Sequence, residues 1–256
     1  MADLTALVRY LDDELRTLEV PDYDAALNGL QLANSGRVSR IAAAVDFSAD
    51  TVSAAIRERA QLLIVHHGMF WRTQRLAGPA YERLRAAIVS DLAVYASHLP
   101  LDMHPEFGNN VLLAKELELH ASGTFGRYKS VEIGVMGTCD LATTDLLDRV
   151  RTLSLRFQTT AVSTPFDPDR RTRRWAIVTG AGASTDSLEE AQVRGVDTLI
   201  VGEGAHHTAI QAMENRMVVI YAGHYATETF GVCALAEHVS KRFDVSWVFV
   251  NVPTGL

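Results

Sequence analysis

Cysteine is scarce in this 256-residue chain, which contains only Cys139 and Cys233 and no CxxC motif. This usage indicates neither a disulfide framework nor a zinc site built from thiolates. We therefore expect both cysteines to be small buried hydrophobic residues.

Long hydrophobic runs are also missing. The longest apolar stretches, such as 62–65 and 217–222, are far shorter than the roughly 20 residues that a membrane helix requires. The first 20 residues mix acidic and apolar side chains and lack the pattern of a secretory signal. We therefore expect no membrane segment and a cytoplasmic location. Basic residues are not in excess either, and the net charge of −7 argues against a protein that binds nucleic acid non-specifically.

Apolar residues make up 48% of the chain, which is enough for one large or two modest domains. Short apolar runs alternate with segments of helical periodicity, and this alternation predicts βαβ units and a parallel or mostly parallel sheet. The predicted strands are 41–45, 62–65, 92–96, 131–136, 156–161, 175–179, 198–201, 217–221 and 247–250. The predicted helices are 4 to about 21, 49–61, 79–91, 110–117, 143–152, 186–194, 206–215 and 227–242.

Two segments of the chain resemble each other. VYASHLPLD at 94–102 and IYAGHYATE at 220–228 share an aliphatic start, Tyr-Ala, a histidine and an acid four residues after that histidine. Each is preceded by a strand-like LIV run, in LIVHHG at 63–68 and in LIVGEG at 199–204. This repetition predicts an α/β protein with two similar lobes related by internal duplication.

The boundary between the lobes is expected near residue 125. Residues 120–130 include Gly123 and Gly126 and are the best candidate for a linker. The predicted lobes are therefore 1–125, to which C-terminal elements can add, and 126–256. Later in the chain, GAGAS at 180–184 lacks a complete nucleotide-binding pattern and predicts a tight strand-to-helix turn.

Side chains that bind metals follow the predicted strands in both copies. Ligands of parallel sheets gather at the carboxyl ends of the strands. The economical interpretation is one metal site shared by the two lobes. The candidate residues are His66, His67, His98, Asp102, His224 and Glu228.

The pair His66-His67 ends the LLIV run, where Gly68 lets the strand give way to a loop. Neutral imidazole is the commonest ligand for zinc, iron and similar ions, so two adjacent histidines can bind two separate ions. The alternative is a core histidine beside a turn.

Asp102 and Glu228 occupy the same place in the two copies. A carboxylate can span two cations with its two oxygens, as a dinuclear site requires. The alternative is an acid at a helix start, which suits Glu228 because Thr227-Glu228 can open the final helix. His98 has three possible roles: a ligand, a proton shuttle, or a group that orients Asp102.

Five motifs together resemble the NGG-interacting-factor-three-like dinuclear metal family, whose members are often named GTP cyclohydrolase type two homologues. The motifs are NGLQ at 28–31, IVHHGMFW at 64–71, SHLPLDMHPEFGNN at 97–110, GEGAHH at 202–207 and AGHYATE at 222–228. The resemblance covers nearly the whole chain, which looks like a short member without the insertion between halves. Many members have HHP where this chain has His66-His67-Gly68, a departure that changes the turn more than the ligands.

The resemblance implies two divalent cations per chain, held between two α/β lobes, and a hexameric ring. Its metal ligands, carried over to this sequence, are His66, His67, Asp102, His224 and Glu228. Three histidines with two carboxylates suit iron, zinc or manganese better than calcium or magnesium.

Two functions fit these observations. In the first, two cations bridged by Glu228 activate water, and the protein is a metal-dependent hydrolase of a nucleotide or related small molecule. GTP cyclohydrolase-like ring opening is what the resemblance implies. In the second, the protein is a non-catalytic oligomer that stores, senses or delivers metal.

Overall fold

A computed structural model describes residues 1–71 and 76–256, which form two compact units. Unit 1 comprises Met1–Leu101 and Gly231–Val252, and unit 2 comprises Asp102–Phe230 and Pro253–Leu256. Each unit contains a sheet with helices, which confirms the predicted α/β class. No helix within the described ranges is long and apolar enough to cross a membrane.

The elements follow one another along the chain in a mostly alternating order. The first are β1 (Ala2–Asp3), α1 (Leu4–Glu14), β2 (Gly29–Leu32), β3 (Arg37–Val38), β4 (Arg40–Asp46), α2 (Ala49–Arg57), β5 (Leu62–His67), α3 (Pro79–Val89), β6 (Ala93–Ala96), α4 (Leu99–Asp102) and α5 (Asn109–Glu116). Next come β7 (Ala121–Tyr128), β8 (Val131–Ala142), α6 (Thr143–Arg156), β9 (Val162–Ser163), β10 (Arg171–Val178), α7 (Thr185–Val193) and β11 (Thr198–Val201). The last are α8 (His206–Glu214), β12 (Val218–Tyr221), α9 (His224–Thr227), α10 (Thr229–Phe243) and β13 (Ser246–Phe249).

The sheet of unit 1 has the strand order β13-β4-β5-β6-β2. Its first three pairings are parallel, and β2 joins the edge antiparallel to β6. The apolar runs in β4, β5 and β6 are buried almost completely, as is typical of parallel strands that are covered on both faces. The predicted strands 41–45, 62–65 and 92–96 are therefore confirmed to within two residues.

The sheet of unit 2 has the order β7-β8-β10-β11-β12-β9, and only β10, β11 and β12 are parallel to each other. The prediction of a mostly parallel sheet is wrong here, because an antiparallel hairpin, β7–β8, extends one edge. Most of residues 120–130, predicted as a linker, form β7, and the predicted boundary near 125 lies inside that strand. The glycines there allow close packing, since a Cβ at Gly126 would lie 3.0 Å from Val178 Cγ2.

Several predicted helices and strands differ from the structure in extent or are absent from it. The predicted strand 156–161 is absent, since buried residues such as Val150 and Leu153 continue the apolar face of α6 as far as Arg156. The first helix ends at Glu14, well before Pro21. The predicted helix 227–242 is instead two helices, α9 and α10, which flank Glu228.

A repeated arrangement supports the internal duplication. In unit 1, β4-α2-β5-α3-β6 leads to His98, and in unit 2, β10-α7-β11-α8-β12 leads to His224. Both α2 and α7 begin with a capping box, formed by Ser48 with Thr51 and by Ser184 with Ser187. In unit 1 the hydroxyl of Thr51 donates to the carbonyl of Asp46, and in unit 2 the hydroxyl of Ser187 donates to the carbonyl of Gly182, each at 2.8 Å.

Candidate metal centre

Three histidines of unit 1 form a cluster at the ends of β5 and β6. His66 and His67 close β5, and His98 follows β6, which pairs with β5 in parallel register. The ring centroids lie 4.7 Å apart for His66 and His67 and 4.9 Å apart for His66 and His98. One ring nitrogen of each histidine lies within 4.8 Å of those of the other two, close enough for the cluster to hold a metal ion.

The Nδ1 atom of each of these rings forms a hydrogen bond with an oxygen atom. The acceptors are the carbonyl of Ser97 for His66, Asp46 Oδ1 for His67 and Asp22 Oδ1 for His98, each at 2.9 Å. Carbonyl and carboxylate oxygens only accept, so Nδ1 carries the proton and the lone pair of each neutral ring lies on Nε2. Histidines that ligate metals are held in this way.

Asp22 is the more enclosed of the two carboxylate acceptors, with 5% of its side chain exposed against 36% for Asp46. Its Oδ2 accepts from Asn28 Nδ2 at 2.8 Å and from the backbone N–H of Leu99 at 3.0 Å. Burial raises the pKa of Asp22, but His98 and the hydrogen bonds from Asn28 and the backbone of Tyr23 together outweigh burial, so the net pKa is below its ordinary value. The ionised carboxylate therefore orients His98.

In unit 2, His224 opens the short helix α9 and contacts two carboxylates. Its Nε2 lies 3.1 Å from Glu228 Oε2, and its Nδ1 donates to Glu203 Oε1 at 2.9 Å. Burial lowers the pKa of His224, but Glu228 and Glu203 outweigh that effect and raise the pKa to about 9. The spacing of four residues therefore brings ring and acid together, as the sequence predicted.

Gly180 makes room for the Glu228 carboxylate. It follows β10 with a φ of +62°, and a Cβ at this position would lie 2.2 Å from Glu228 Oε1. The predicted tight turn at 180–184 is confirmed between β10 and α7. It places Gly180, which has no side chain, beside the Glu228 carboxylate.

Asp102 also belongs to unit 2 and is only 6% exposed. Its Oδ1 accepts from Asn109 Nδ2 at 2.8 Å and from Thr179 Oγ1 at 3.3 Å. The amide of Asn110 donates to the Asp102 carbonyl at 3.2 Å. Asn109 and Thr179 thus hold the carboxylate of the first copy, which sequence reasoning had placed only by its spacing.

The structure therefore brings His66, His67 and His98 together in unit 1, and His224 and Glu228 together in unit 2. The sequence analysis missed the acids that hold the histidines. A signal for two of them exists in the repeat, because Asp46 precedes His67 and Glu203 precedes His224 by 21 residues each.

The fold and these clusters define an α/β protein with candidate metal ligands in both units. The family model of Duf34/NIF3 (NGG1p interacting factor 3) matches residues 2–254. The chain belongs to this family, which confirms the resemblance seen in the sequence.

Similar proteins cover the chain almost completely. A GTP cyclohydrolase 1 type 2 homolog of Deinococcus radiodurans is 43% identical and spans 98% of this chain and 93% of its own length. Its counterpart in Pyrococcus abyssi is 39% identical over 98% of each chain. Among solved structures, protein ybgI, described as of unknown function, has a TM-score of 0.90 and 29% identity over 100% of both chains. A second solved structure, TTHA1606 from Thermus thermophilus, has a TM-score of 0.82 and 34% identity, again over 100% of both.

Proposed function

We propose that this protein holds two divalent ions per chain and is a metal-dependent hydrolase of a nucleotide or related small molecule. One observation carries the proposal: each candidate histidine has an oxygen atom 2.9 Å from Nδ1, which directs Nε2 to coordination. When bound, such ions lower the pKa of water and polarise phosphoryl or carbonyl oxygens.

His66, His67, Asp102, His224 and Glu228 are the proposed ligands. The imidazoles and buried carboxylates of this set fit iron, zinc or manganese. The space beside Gly180 also fits a ligand role for Glu228, since any larger residue would displace that carboxylate. The use of ligands from both units in one centre stays a prediction from the sequence and from the family.

His98 is proposed as the proton carrier. Asp22 accepts from its Nδ1, so Nε2 is the atom that takes up or releases a proton during the reaction. The same pairing of a buried carboxylate with an imidazole stabilises the charged ring in hydrolases that use a Ser-His-Asp triad.

The test is turnover of a panel of purine and pyrimidine nucleotides by protein loaded separately with iron, zinc and manganese. We expect release of product that depends on the metal and stops with a chelator. Metal that binds in about two equivalents without product across the panel would favour the alternative, a protein that stores, senses or delivers metal. Well under one equivalent of any of these metals, with no uptake on titration, would contradict both.

A closed homo-oligomer, with a hexamer as the expected form, is proposed from the family resemblance and from the general rule of symmetric closure. Sedimentation equilibrium at micromolar concentration tests it, and a monomer would contradict it.

A further inference from the structure

A pocket of about 270 Å³ lies within unit 1 beside the histidine cluster. His67 forms one part of its wall, so a molecule in the pocket would contact a proposed metal ligand. The other side chains that matter here are Asp46, Phe47, Trp71 and Arg83. Its volume is just below the roughly 300–1,000 Å³ of whole-ligand sites. The pocket therefore suits one portion of a nucleotide-sized molecule.

Arg83, from α3, brings a positive charge to this pocket. Its Cζ lies 5.1 Å from the centre of the Phe47 ring, which holds the guanidinium in place. Within residues 1–71 and 76–256, no carboxylate forms an ion pair with Arg83, and its buried Nε has no hydrogen-bond partner. A half-buried guanidinium of this kind is suited to a planar or tetrahedral anion.

The other charged group of the pocket, Asp46, is already engaged. Its Oδ1 accepts from His67 Nδ1 at 2.9 Å, so this oxygen is already used by the imidazole. Arg83 is then the group available to a ligand anion. A cationic ligand would instead have to compete with His67 for the same carboxylate.

Trp71 connects this pocket to the histidines. Its ring lies 5.7 Å from that of His67 and 4.9 Å from that of His98, in edge-on geometry at 61° and 85°. Together with Phe47 it gives the pocket an aromatic wall.

We propose that this pocket binds the phosphate group of a phosphorylated small-molecule substrate through Arg83, with Trp71 beside it. This inference rests on the proposed function, since it assumes that the reacting part of the same molecule lies at the histidines. Arg83 is thus a residue that determines specificity for phosphorylated over unphosphorylated ligands.

The experiment compares binding of GMP, guanosine and inorganic phosphate to the full-length protein, as purified and after metal removal. Calorimetry gives the affinities. The variants are Arg83→Gln and Arg83→Lys, with Arg85→Gln as the matched control, because Arg85 is exposed on the same helix. Melting curves establish that each variant is folded.

For wild type and Arg85→Gln, we expect GMP to bind at least about 10-fold more tightly than guanosine, as for a charge-assisted pair. In Arg83→Gln the preference should fall to about twofold or less, and Arg83→Lys should restore part of it. The guanosine arm separates phosphate recognition from base recognition, and the inorganic phosphate arm shows whether the anion alone suffices.

Two results would overturn the pocket proposal: a wild type that does not prefer GMP, or a preference that survives in Arg83→Gln. The proposed hydrolase function fails separately, because binding is measured without turnover. Loss of all product release with an intact Arg83-dependent preference would contradict only the hydrolase. Product release with no effect of Arg83 would contradict only the pocket.

Discussion

The two copies of the repeated segment differ by one residue in the register of their strands. Val65 pairs with Ala96 in unit 1, whereas Val201, its counterpart, pairs with Tyr221 in unit 2. The sequence alignment places Ala96 opposite Ala222, so β12 is displaced by one position relative to β6. A one-residue displacement turns side chains to the opposite face of a sheet. The two strands therefore do not present equivalent residues to equivalent surroundings.

The chemistry of the two clusters differs in the same way. In unit 1 imidazoles form the cluster, and the carboxylates Asp22 and Asp46 stand behind the rings. In unit 2 a carboxylate, Glu228, lies on the Nε2 side of His224, and Glu203 lies behind it. The cluster of unit 1 thus consists of imidazoles, whereas that of unit 2 includes the buried carboxylate of Glu228.

Glu228→Gln should produce the largest effect on metal binding. The neutral amide removes a buried charge, and a glutamate that bridges two ions would lose two coordination bonds. We expect metal affinity to fall by about 100-fold or more, beyond the roughly 10–100-fold typical of groups that only orient a ligand. Asp102→Asn should cost less, because Asn109 and Thr179 can still hold the oxygen of the new side chain.

Competition with a chromogenic chelator measures these affinities. Glu214→Gln is the matched control, since the same chemical change falls on an exposed residue of unit 2. A loss in Asp102→Asn equal to or larger than that in Glu228→Gln would show that the second copy does not supply the dominant charge.

Asp46→Asn and Glu203→Gln compare the carboxylates that stand behind the rings. Each change weakens the ligand basicity of one histidine, at a cost of about 10–100-fold in metal affinity. We expect Asp46→Asn to lie at the upper end. Glu203 should matter less because 46% of its side chain is exposed and Glu228 also supports His224.

Metal titrations followed by calorimetry test this order, with Asp50→Asn as an exposed control near Asp46. A larger loss of metal affinity in Glu203→Gln would show that His224 depends on Glu203 more than His67 depends on Asp46.

Asp22→Asn should have the smallest effect, on the free energy of unfolding of the metal-free protein. The amide nitrogen of the new side chain would face donors from Asn28, Leu99 or His98. A buried polar group left without a hydrogen-bond partner lowers the free energy of unfolding by about 1–3 kcal/mol. Because the pKa of Asp22 is lower in the folded state, the stabilisation is complete above its ordinary pKa of 3.8 and disappears as the pH falls through the folded-state value.

Urea denaturation at neutral pH and across that acid range measures the difference between wild type and Asp22→Asn. The exposed Asp13→Asn serves as control. Equal free energies of unfolding at neutral pH would rule out a structural role for the Asp22–His98 pair.

The strands of each parallel core could be predicted because their apolar runs are buried on both faces, as in β5 and β11. The strand β7 could not, since its first four residues are exposed and it contains glycine. The histidines were found because they directly follow such apolar runs. Asp22 was not, because it lies 76 residues from His98 and only the tertiary fold joins them.

The capping boxes described above provide a way to measure local opening beside each cluster. The amides of Thr51 and Ser187 donate to serine hydroxyls at 3.1 Å instead of to helix carbonyls. Their exchange with deuterium therefore reports on opening of the turn next to Asp46 and of the turn next to Gly180, independently of the rest of the helix. Exchange of these two amide protons thus measures local opening in unit 1 and in unit 2 separately.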